Sequence, residues 1–200
     1  MTVRAVVFDL GGVLVDWDPR HLYRQVFDDE AEMERFLAEV CTLEWHDAHD
    51  RGKPMAASVA ALAAEVGEHA PAVLLWAERY LDMVAGPVPG TAEVLTDLQA
   101  RGVPVYALSN MPVEAWPGLL ERFPVLTGLD GAVVSGEEGM AKPDPEIFEL
   151  LVSRFGLDPA TTAFVDDRPV NVEAAERLGF VGVLFMSAEA LRRQLSAIMA

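Results

Sequence analysis

The stretch VRAVVFDLGG, residues 3–12, decides the fold. Its first six residues are apolar except Arg4 and rich in β-branched valine, without period-two alternation, which is typical of a strand covered on both faces. The run ends at an acidic residue, Asp9, and a glycine pair follows at positions 11 and 12, where it permits a tight turn. Four similar apolar runs follow at residues 103–108, 132–134, 162–165 and 181–185. The sequence therefore predicts several short, buried strands.

Helical patterns separate the later strands, and each stops at a glycine. Residues 91–100, 145–155 and 170–178 show helical spacing, and the glycines stand at positions 102, 156 and 179. A strand, helix, strand order that repeats from residue 88 onward favours a parallel sheet with right-handed crossovers. We predict an α/β fold with a Rossmann-like parallel sheet.

A long helical insertion separates the first strand from the second. Residues 16–86 show no convincing strand, and amphipathic helices are predicted over Glu30–Val40, Met55–Val66 and Pro71–Val84. Proline and glycine punctuation at residues 86–90 marks the exit from this segment. We therefore predict a core made of residues 1–15 and 87–200, with residues 16–86 as an inserted helical domain.

Composition excludes several classes of protein. The 200 residues include 32 acidic and 15 basic ones, a formal net charge of −17, which argues against nucleic acid and anionic membrane surfaces as partners. No apolar stretch approaches the ~20 residues that span a bilayer, and the N-terminus does not resemble a signal peptide. Cys41 is the only cysteine, which excludes an intrachain disulfide and favours a cytoplasmic location. Oligomeric state stays open.

Polar residues follow each of the first four predicted strands. In order along the chain they are Asp9, Ser109 with Asn110, Lys142, and the pair Asp166 and Asp167. Ligands of open parallel sheets bind beyond the carboxyl ends of the strands, so we expect these residues to share one crevice. Clustered carboxylates need a positive charge among them, and Mg²⁺ prefers oxygen ligands and phosphate. One free carboxylate could then attack phosphorus.

Four motifs resemble those of the haloacid dehalogenase (HAD) superfamily, in order and spacing. They read FDLGGVL at 8–14, LSN at 108–110, AKPDP at 141–145 and FVDD at 164–167. The resemblance covers the whole chain, and the helical insertion is similar to the small helical cap of that family. It implies a central first strand flanked by the second and fourth. Within the family, the chain resembles sugar-phosphate phosphatases that read Asp-Leu-Gly.

The resemblance implies four catalytic residues. Asp9 matches the nucleophile that forms an aspartyl-phosphate intermediate. Ser109, with Asn110 beside it, matches the phosphate-binding motif. Lys142 matches the lysine that orients the nucleophile and the phosphate. The implied reaction is Mg²⁺-dependent hydrolysis of a small phosphomonoester, so that the expected partner is a small phosphorylated metabolite.

The implied metal site contains one departure from the family pattern. Asp9, Asp166 and Asp167 match the Mg²⁺ ligands, and the backbone carbonyl of Gly11 can complete the set. Most phosphatases of this family carry an aspartate at the position of Gly11, where it serves as general acid and base. The proton donor to the leaving oxygen is therefore missing, and general acid catalysis contributes about 10²–10⁴ in rate.

Gly11 leaves two rival functions open. Metal-independent 2-haloacid dehalogenases of the family also lack that aspartate, but they replace the acidic pair of the fourth motif with small neutral polar residues. Retention of Asp166 and Asp167 favours a metal and phosphate chemistry. The other rival is a catalytically weakened member that binds a phosphorylated ligand without turning it over.

Two further features lie outside the four motifs. The stretch EWHDAHDRG, residues 44–52, gathers His46, Asp47, His49 and Asp50 in a spacing that matches no defensible zinc motif. A solvated face or a contact between insertion and core is favoured, and we hypothesise that the stretch faces the crevice and selects substrate. Asn171, near the start of the last motif's helix, is expected to face solvent.

Overall fold

The computed structural model describes residues 2–200; Met1, the first residue of the predicted segment 1–15, lies outside the described residues. The strands are β1 (Ala5–Phe8), β2 (Val15–Trp17), β3 (Val84–Pro87), β4 (Val105–Ser109), β5 (Gly131–Val134), β6 (Thr162–Asp166) and β7 (Val181–Leu184). The helices are α1 (Pro19–Tyr23), α2 (Glu30–Glu39), α3 (Leu43–Asp50), α4 (Met55–Glu65), α5 (Ala70–Glu78), α6 (Thr91–Ala100), α7 (Trp116–Arg122), α8 (Ser135–Glu138), α9 (Pro145–Phe155), α10 (Pro169–Arg177) and α11 (Ala188–Ile198).

The main sheet, as far as residues 2–200 describe it, has five strands in the order β5-β4-β1-β6-β7. Every neighbouring pair in it is parallel. Phe8, the last residue of β1, pairs with Ala107 on one side and Val165 on the other. The predicted α/β fold with a parallel sheet is confirmed, and so is the central position of the first strand between the second and fourth predicted strands.

Strand β1 is buried on both faces. Val6 and Phe8 belong to one apolar cluster, while Val7 belongs to a second cluster that includes Phe148 of α9 and Ala175 of α10. Side chains alternate across a strand, so neighbouring residues of β1 pack into opposite layers. The sequence of β1 shows no apolar–polar alternation because both faces of the strand pack against helices rather than facing water.

An antiparallel ribbon joins the two ends of the helical insertion. In it, Val15 pairs with Pro87 and Trp17 pairs with Val84. The expectation that residues 16–86 contain no strand is wrong, because strands this short, one of them carrying Gly86 and Pro87, leave no readable pattern. The ribbon crosses both boundaries of the division into residues 1–15, 16–86 and 87–200, and that division stays a prediction.

In the sequence, helices α1 to α5 come between β2 and β3, the two strands of the ribbon. The predicted helix Pro71–Val84 is shorter than expected, since α5 ends at Glu78 and a 3₁₀ turn covers Tyr80–Met83. An aromatic group fills the interior, with the Tyr23 ring centroid 4.9 Å from that of Phe36 and 5.9 Å from that of Trp76. None of the helices found in residues 2–200 has both the length and the apolar character required to cross a membrane.

Candidate active site

A cavity of about 610 Å³ lies at the carboxyl ends of β1, β4 and β6. Asp9, Ser109, Lys142 and Asp167, which stand at or beyond the carboxyl ends of four different strands, all line it. The crevice predicted from the polar strand ends is therefore present. Its opposite wall comes from α3 and from the ribbon with the 3₁₀ turn that precedes β3.

The Asp9 carboxyl is held by its own backbone and by a lysine. Its backbone N–H donates to the Val165 carbonyl at 2.8 Å, which continues the β1–β6 pairing by one residue. Its Oδ1 accepts from the Leu10 N–H at 2.7 Å and lies 3.0 Å from Lys142 Nζ. Burial raises the pKa of Asp9 to about 7, against the lowering effect of Lys142. A cation bound nearby would favour the charged, nucleophilic form.

Lys142 forms a buried bridge between two carboxylates. Its Nζ lies 2.7 Å from Asp166 Oδ2 and 3.0 Å from Asp9 Oδ1, and its side chain is 1% exposed. Burial acts to lower the pKa of Lys142, but the two carboxylates raise it above its ordinary value. The ammonium is therefore charged and fixed at the floor of the cavity.

Asn110 holds the backbone of Lys142. Its Nδ2 donates to the Lys142 carbonyl at 2.9 Å, and its Oδ1 accepts from the Lys142 N–H at 2.9 Å. Asn110 is thus a positioning residue for the lysine as well as a residue that lines the cavity. Ser109 lines the cavity beside it, and the binding of phosphate by these two residues stays a prediction.

Asp166 is fully buried beneath the site. Its carboxylate accepts from Asn171 Nδ2 at 3.0 Å and from the Arg168 N–H at 2.9 Å, in addition to the Lys142 contact. The expectation that Asn171 faces solvent is wrong, because the first turn of α10 packs under the end of β6 and its third residue points inward. No local sequence pattern indicates this contact, because Asp166 ends a strand and Asn171 lies in the first turn of the following helix.

The geometry of three carboxylates fits a divalent cation. One oxygen each of Asp9, Asp166 and Asp167 lies within 4.8 Å of the others. Burial, followed by the charge of Asp166, raises the pKa of Asp167. In their ionised forms the three carboxylates carry more charge than the ammonium of Lys142 compensates, and a bound cation would balance it. Mg²⁺ typically uses one or two carboxylates and keeps several waters, which matches Asp9 and Asp167, the two members of this cluster that line the cavity.

Glycine makes the close approach to this cluster feasible. Gly12 has φ +73°, and a Cβ at this position would lie 2.5 Å from Asp167 Oδ2. Gly11 lines the cavity, and a Cβ there would have Trp17 Cβ as its nearest neighbour, at 3.9 Å. A backbone carbonyl ligand at Gly11 stays a prediction, while the requirement for glycine is clear at Gly12.

Helix α3 contains the EWHDAHDRG stretch and forms part of the cavity wall. His46, Asp47 and Asp50 all line the cavity, as hypothesised from the sequence. The His46 ring stacks on Trp17 with centroids 5.3 Å apart, and His46 Nδ1 lies 3.3 Å from His49 Nδ1. Burial lowers the pKa of His46 to about 3, so this histidine is neutral. Selection of substrate by the stretch stays a prediction.

The fold, together with the four motifs whose residues meet at the cavity, defines the class of protein. The chain belongs to the family of haloacid dehalogenase-like hydrolases, whose model matches residues 3–179. It is therefore an enzyme of the hydrolase class. A sesquiterpene phosphatase of Aspergillus oryzae, astK, is 29% identical over 183 residues, which cover 91% of this chain and 89% of that protein.

Two groups of solved structures share the fold. A HAD family enzyme from Bacteroides thetaiotaomicron, in complex with magnesium and inorganic phosphate, matches with a TM-score of 0.70 at 24% identity, over 92% of this chain and 95% of that chain. The L-2-haloacid dehalogenase of Xanthobacter autotrophicus matches with a TM-score of 0.65 at 22% identity, over 98% and 83%. At these identities the likeness extends to the fold alone.

Proposed function

We propose that this protein is a Mg²⁺-dependent phosphatase that hydrolyses a small phosphomonoester through an aspartyl-phosphate on Asp9. The observation that carries the proposal is the position of Asp9, 3.0 Å from a buried lysine and within 4.8 Å of two further carboxylates, at the floor of one cavity. The magnesium and phosphate in the B. thetaiotaomicron enzyme and the phosphatase name of the A. oryzae relative support it.

Each residue of the site has a separate role in phosphoryl transfer. An oxygen of Asp9 attacks phosphorus as the bond to the organic oxygen breaks, and water then releases phosphate from Asp9. Lys142 and the Ser109 hydroxyl bind phosphoryl oxygens, whose charge must be stabilised during transfer. When bound, Mg²⁺ supplies positive charge that orients the phosphoryl group and reduces repulsion from the carboxylates.

The ion would be held by Asp9, Asp167 and the Gly11 carbonyl. These groups line the cavity, whereas the carboxylate of Asp166 is buried and already accepts from Lys142 and Asn171. We therefore assign Asp166 a contribution through its charge and through the position of Lys142. The proposed ligand set therefore differs from the one predicted from the sequence, which also includes Asp166.

The residues of the cavity wall indicate which organic group the substrate carries. Beyond the catalytic floor, the lining is mainly apolar and includes Val15, Trp17, Leu43, Tyr80, Met111 and Leu119. Such a wall favours a phosphomonoester with an apolar organic group over the sugar-phosphate-like substrate that the sequence predicts. Initial rates on an isoprenyl phosphate and on a hexose phosphate, compared at equal concentration, distinguish the two.

Hydrolytic dehalogenation is the rival reaction, and the fold is compatible with it. The three-carboxylate cluster argues against it, because a metal-free site would leave Asp9, Asp166 and Asp167 with Lys142 as their one close cation among residues 2–200. Halide release from a 2-haloacid in EDTA would support this rival.

A phosphate-release assay on a panel of phosphomonoesters, with Mg²⁺ and with EDTA, tests the proposal. We expect release with Mg²⁺, none with EDTA, and none from Asp9→Asn under either condition. Equal release by wild type and Asp9→Asn would overturn the proposal. Ligand binding in calorimetry without product after long incubation would support the weakened, ligand-binding rival.

A further inference from the structure

The Gly11 position leaves the proposed reaction without a proton donor, and the cavity contains a second buried acid. Asp50, the last residue of α3, lines the same cavity as Asp9, and its side chain is 13% exposed. Asp9 and Asp50 therefore line one cavity, Asp9 from the sheet and Asp50 from the helical insertion. The inference that follows rests on the phosphatase function proposed above.

Asp50 is unlike the other acids of its helix in its contacts. Asp47 is 49% exposed and accepts from Arg51 Nε at 2.8 Å. Asp50 Oδ1 lies 3.4 Å from His46 Nε2 without the geometry of a hydrogen bond, and within residues 2–200 this buried oxygen has no hydrogen-bond partner. A buried carboxylate without a cation or a donor is costly, whereas a neutral carboxyl group is tolerated there.

The end of α3 is fixed against the loop that carries the catalytic lysine. Arg51 Nη1 donates to Asp144 Oδ2 at 2.6 Å, two residues after Lys142. A Cβ on Gly52 would lie 3.1 Å from the carbonyl oxygen of Gly136, so the backbones of the insertion and the core approach closely there. Asp50 is thereby held on the side of the cavity where the lysine loop lies.

We propose that Asp50 is the general acid and base of this enzyme, supplied by the helical insertion in place of the side chain that Gly11 lacks. As Asp9 attacks phosphorus and the bond from phosphorus to the organic oxygen breaks, the Asp50 carboxyl group donates its proton to that oxygen and an alcohol leaves. The Asp50 carboxylate then accepts a proton from water as the water oxygen attacks phosphorus. The bond to Asp9 breaks, phosphate departs, and both acids return to their initial states.

The charges around Asp50 support a protonated resting state near neutral pH. Burial raises the pKa of Asp50 to about 7, and the charges of Asp47 and Asp9 act in the same direction. Lys142 and Arg51 lower it less. Of the other titratable groups in the cavity wall, His46 is neutral because burial lowers its pKa, and the Tyr80 hydroxyl is neutral because burial raises its pKa. Glu44, Asp167 and Arg168 line the same cavity. A pKa close to the working pH suits a group that must both donate and accept a proton.

Leaving groups of different basicity test the proposal. Phosphate release by wild type and Asp50→Asn is measured with Mg²⁺ on 2,4-dinitrophenyl phosphate, whose leaving group needs no proton, and on an alkyl phosphate, whose leaving group does. We expect Asp50→Asn to lose about 10²–10⁴ in rate on the alkyl ester and little on the dinitrophenyl ester. Asp28→Asn, an exposed acid of the same helical insertion that does not line the cavity, is the matched control and should keep the wild-type ratio of the two rates.

A second variant separates chemistry from folding. A Cβ at Gly11 would meet only an ordinary contact, Trp17 Cβ at 3.9 Å, so Gly11→Asp added to Asp50→Asn should restore part of the rate on the alkyl ester. Equal rate losses of Asp50→Asn on both esters, or no loss on either, would overturn the proposed role of Asp50 but not the phosphatase proposal. Wild-type protein that releases phosphate from neither ester would overturn the phosphatase proposal and this inference together.

Discussion

Gly12 and Asp167 approach so closely that a side chain on Gly12 would require the Asp167 carboxylate to move. A Cβ on Gly12 would lie 2.5 Å from Asp167 Oδ2 and 2.9 Å from its Cγ, and the φ of +73° at Gly12 is one that L-residues rarely adopt. The turn after β1 therefore brings the backbone against a carboxylate from the end of β6. This contact explains why the second glycine of the FDLGG motif is needed, on grounds of space and of backbone conformation.

Gly12→Ala should destabilise the fold and displace Asp167. The strained φ alone costs about 1–3 kcal/mol, and the contact with the carboxylate adds to it. Urea denaturation measures the loss of unfolding free energy. Gly11→Ala is the matched control, because its Cβ would meet Trp17 Cβ at an ordinary 3.9 Å. Equal stability of the two variants would contradict the close approach at Gly12.

Lys142→Met should be strongly destabilising. It leaves the buried carboxylates of Asp9 and Asp166 without their cation, and removal of one partner from a buried ion pair costs about 3–5 kcal/mol. Adding Asp166→Asn to Lys142→Met should recover part of the unfolding free energy, since one of the two unpaired charges disappears. Urea denaturation of both single variants and the double variant gives the coupling, and simple additivity of the two losses would argue against the bridge.

His46 should make stability depend on pH. Burial lowers the pKa of His46 from 6.5 to about 3, so between these values the unfolded chain binds a proton that the folded chain does not. The free energy of unfolding therefore falls as pH falls from 6.5 toward 3, by up to about 1.4 kcal/mol per pH unit from this histidine. Asp50, whose pKa is raised to about 7, acts in the opposite direction between pH 7 and 4.

The comparison of wild type with His46→Gln isolates this contribution, because Asp50 and the other acids remain in both proteins. The stability of the variant should decline less steeply between pH 6.5 and 4, as measured by urea denaturation at several pH values. Identical slopes would mean that His46 binds its proton over the same pH range in the folded and the unfolded protein, which contradicts its lowered pKa.

The sequence predicts correctly those features that depend only on where a residue stands relative to a strand. Parallel strands end at one edge of a sheet, so the placement of Asp9, Ser109, Lys142 and Asp167 around one cavity followed from the strand order. Burial of β1 on both faces followed from its unbroken apolar run. These inferences needed no knowledge of side-chain packing.

Other features depend on contacts between distant residues and left no local signal. The β2–β3 ribbon joins Trp17 to Val84 over strands of three and four residues, too short for periodicity. Asn171 is the one polar residue in the first turn of α10, and only the packing of α10 against β6 turns it inward to Asp166. Asp50 could be noticed in the sequence, but its burial beside His46 depends on where α3 lies against the core.

The most direct test of the account is to trap the covalent intermediate. Wild-type protein is mixed with Mg²⁺ and a phosphomonoester that it hydrolyses, quenched rapidly in acid, and digested for peptide mass spectrometry. The account predicts a phosphoryl group on the peptide that contains Asp9, and none in Asp9→Asn. Rapid hydrolysis with no phosphoryl group on that peptide, and with Asp9→Asn as active as wild type, would contradict it.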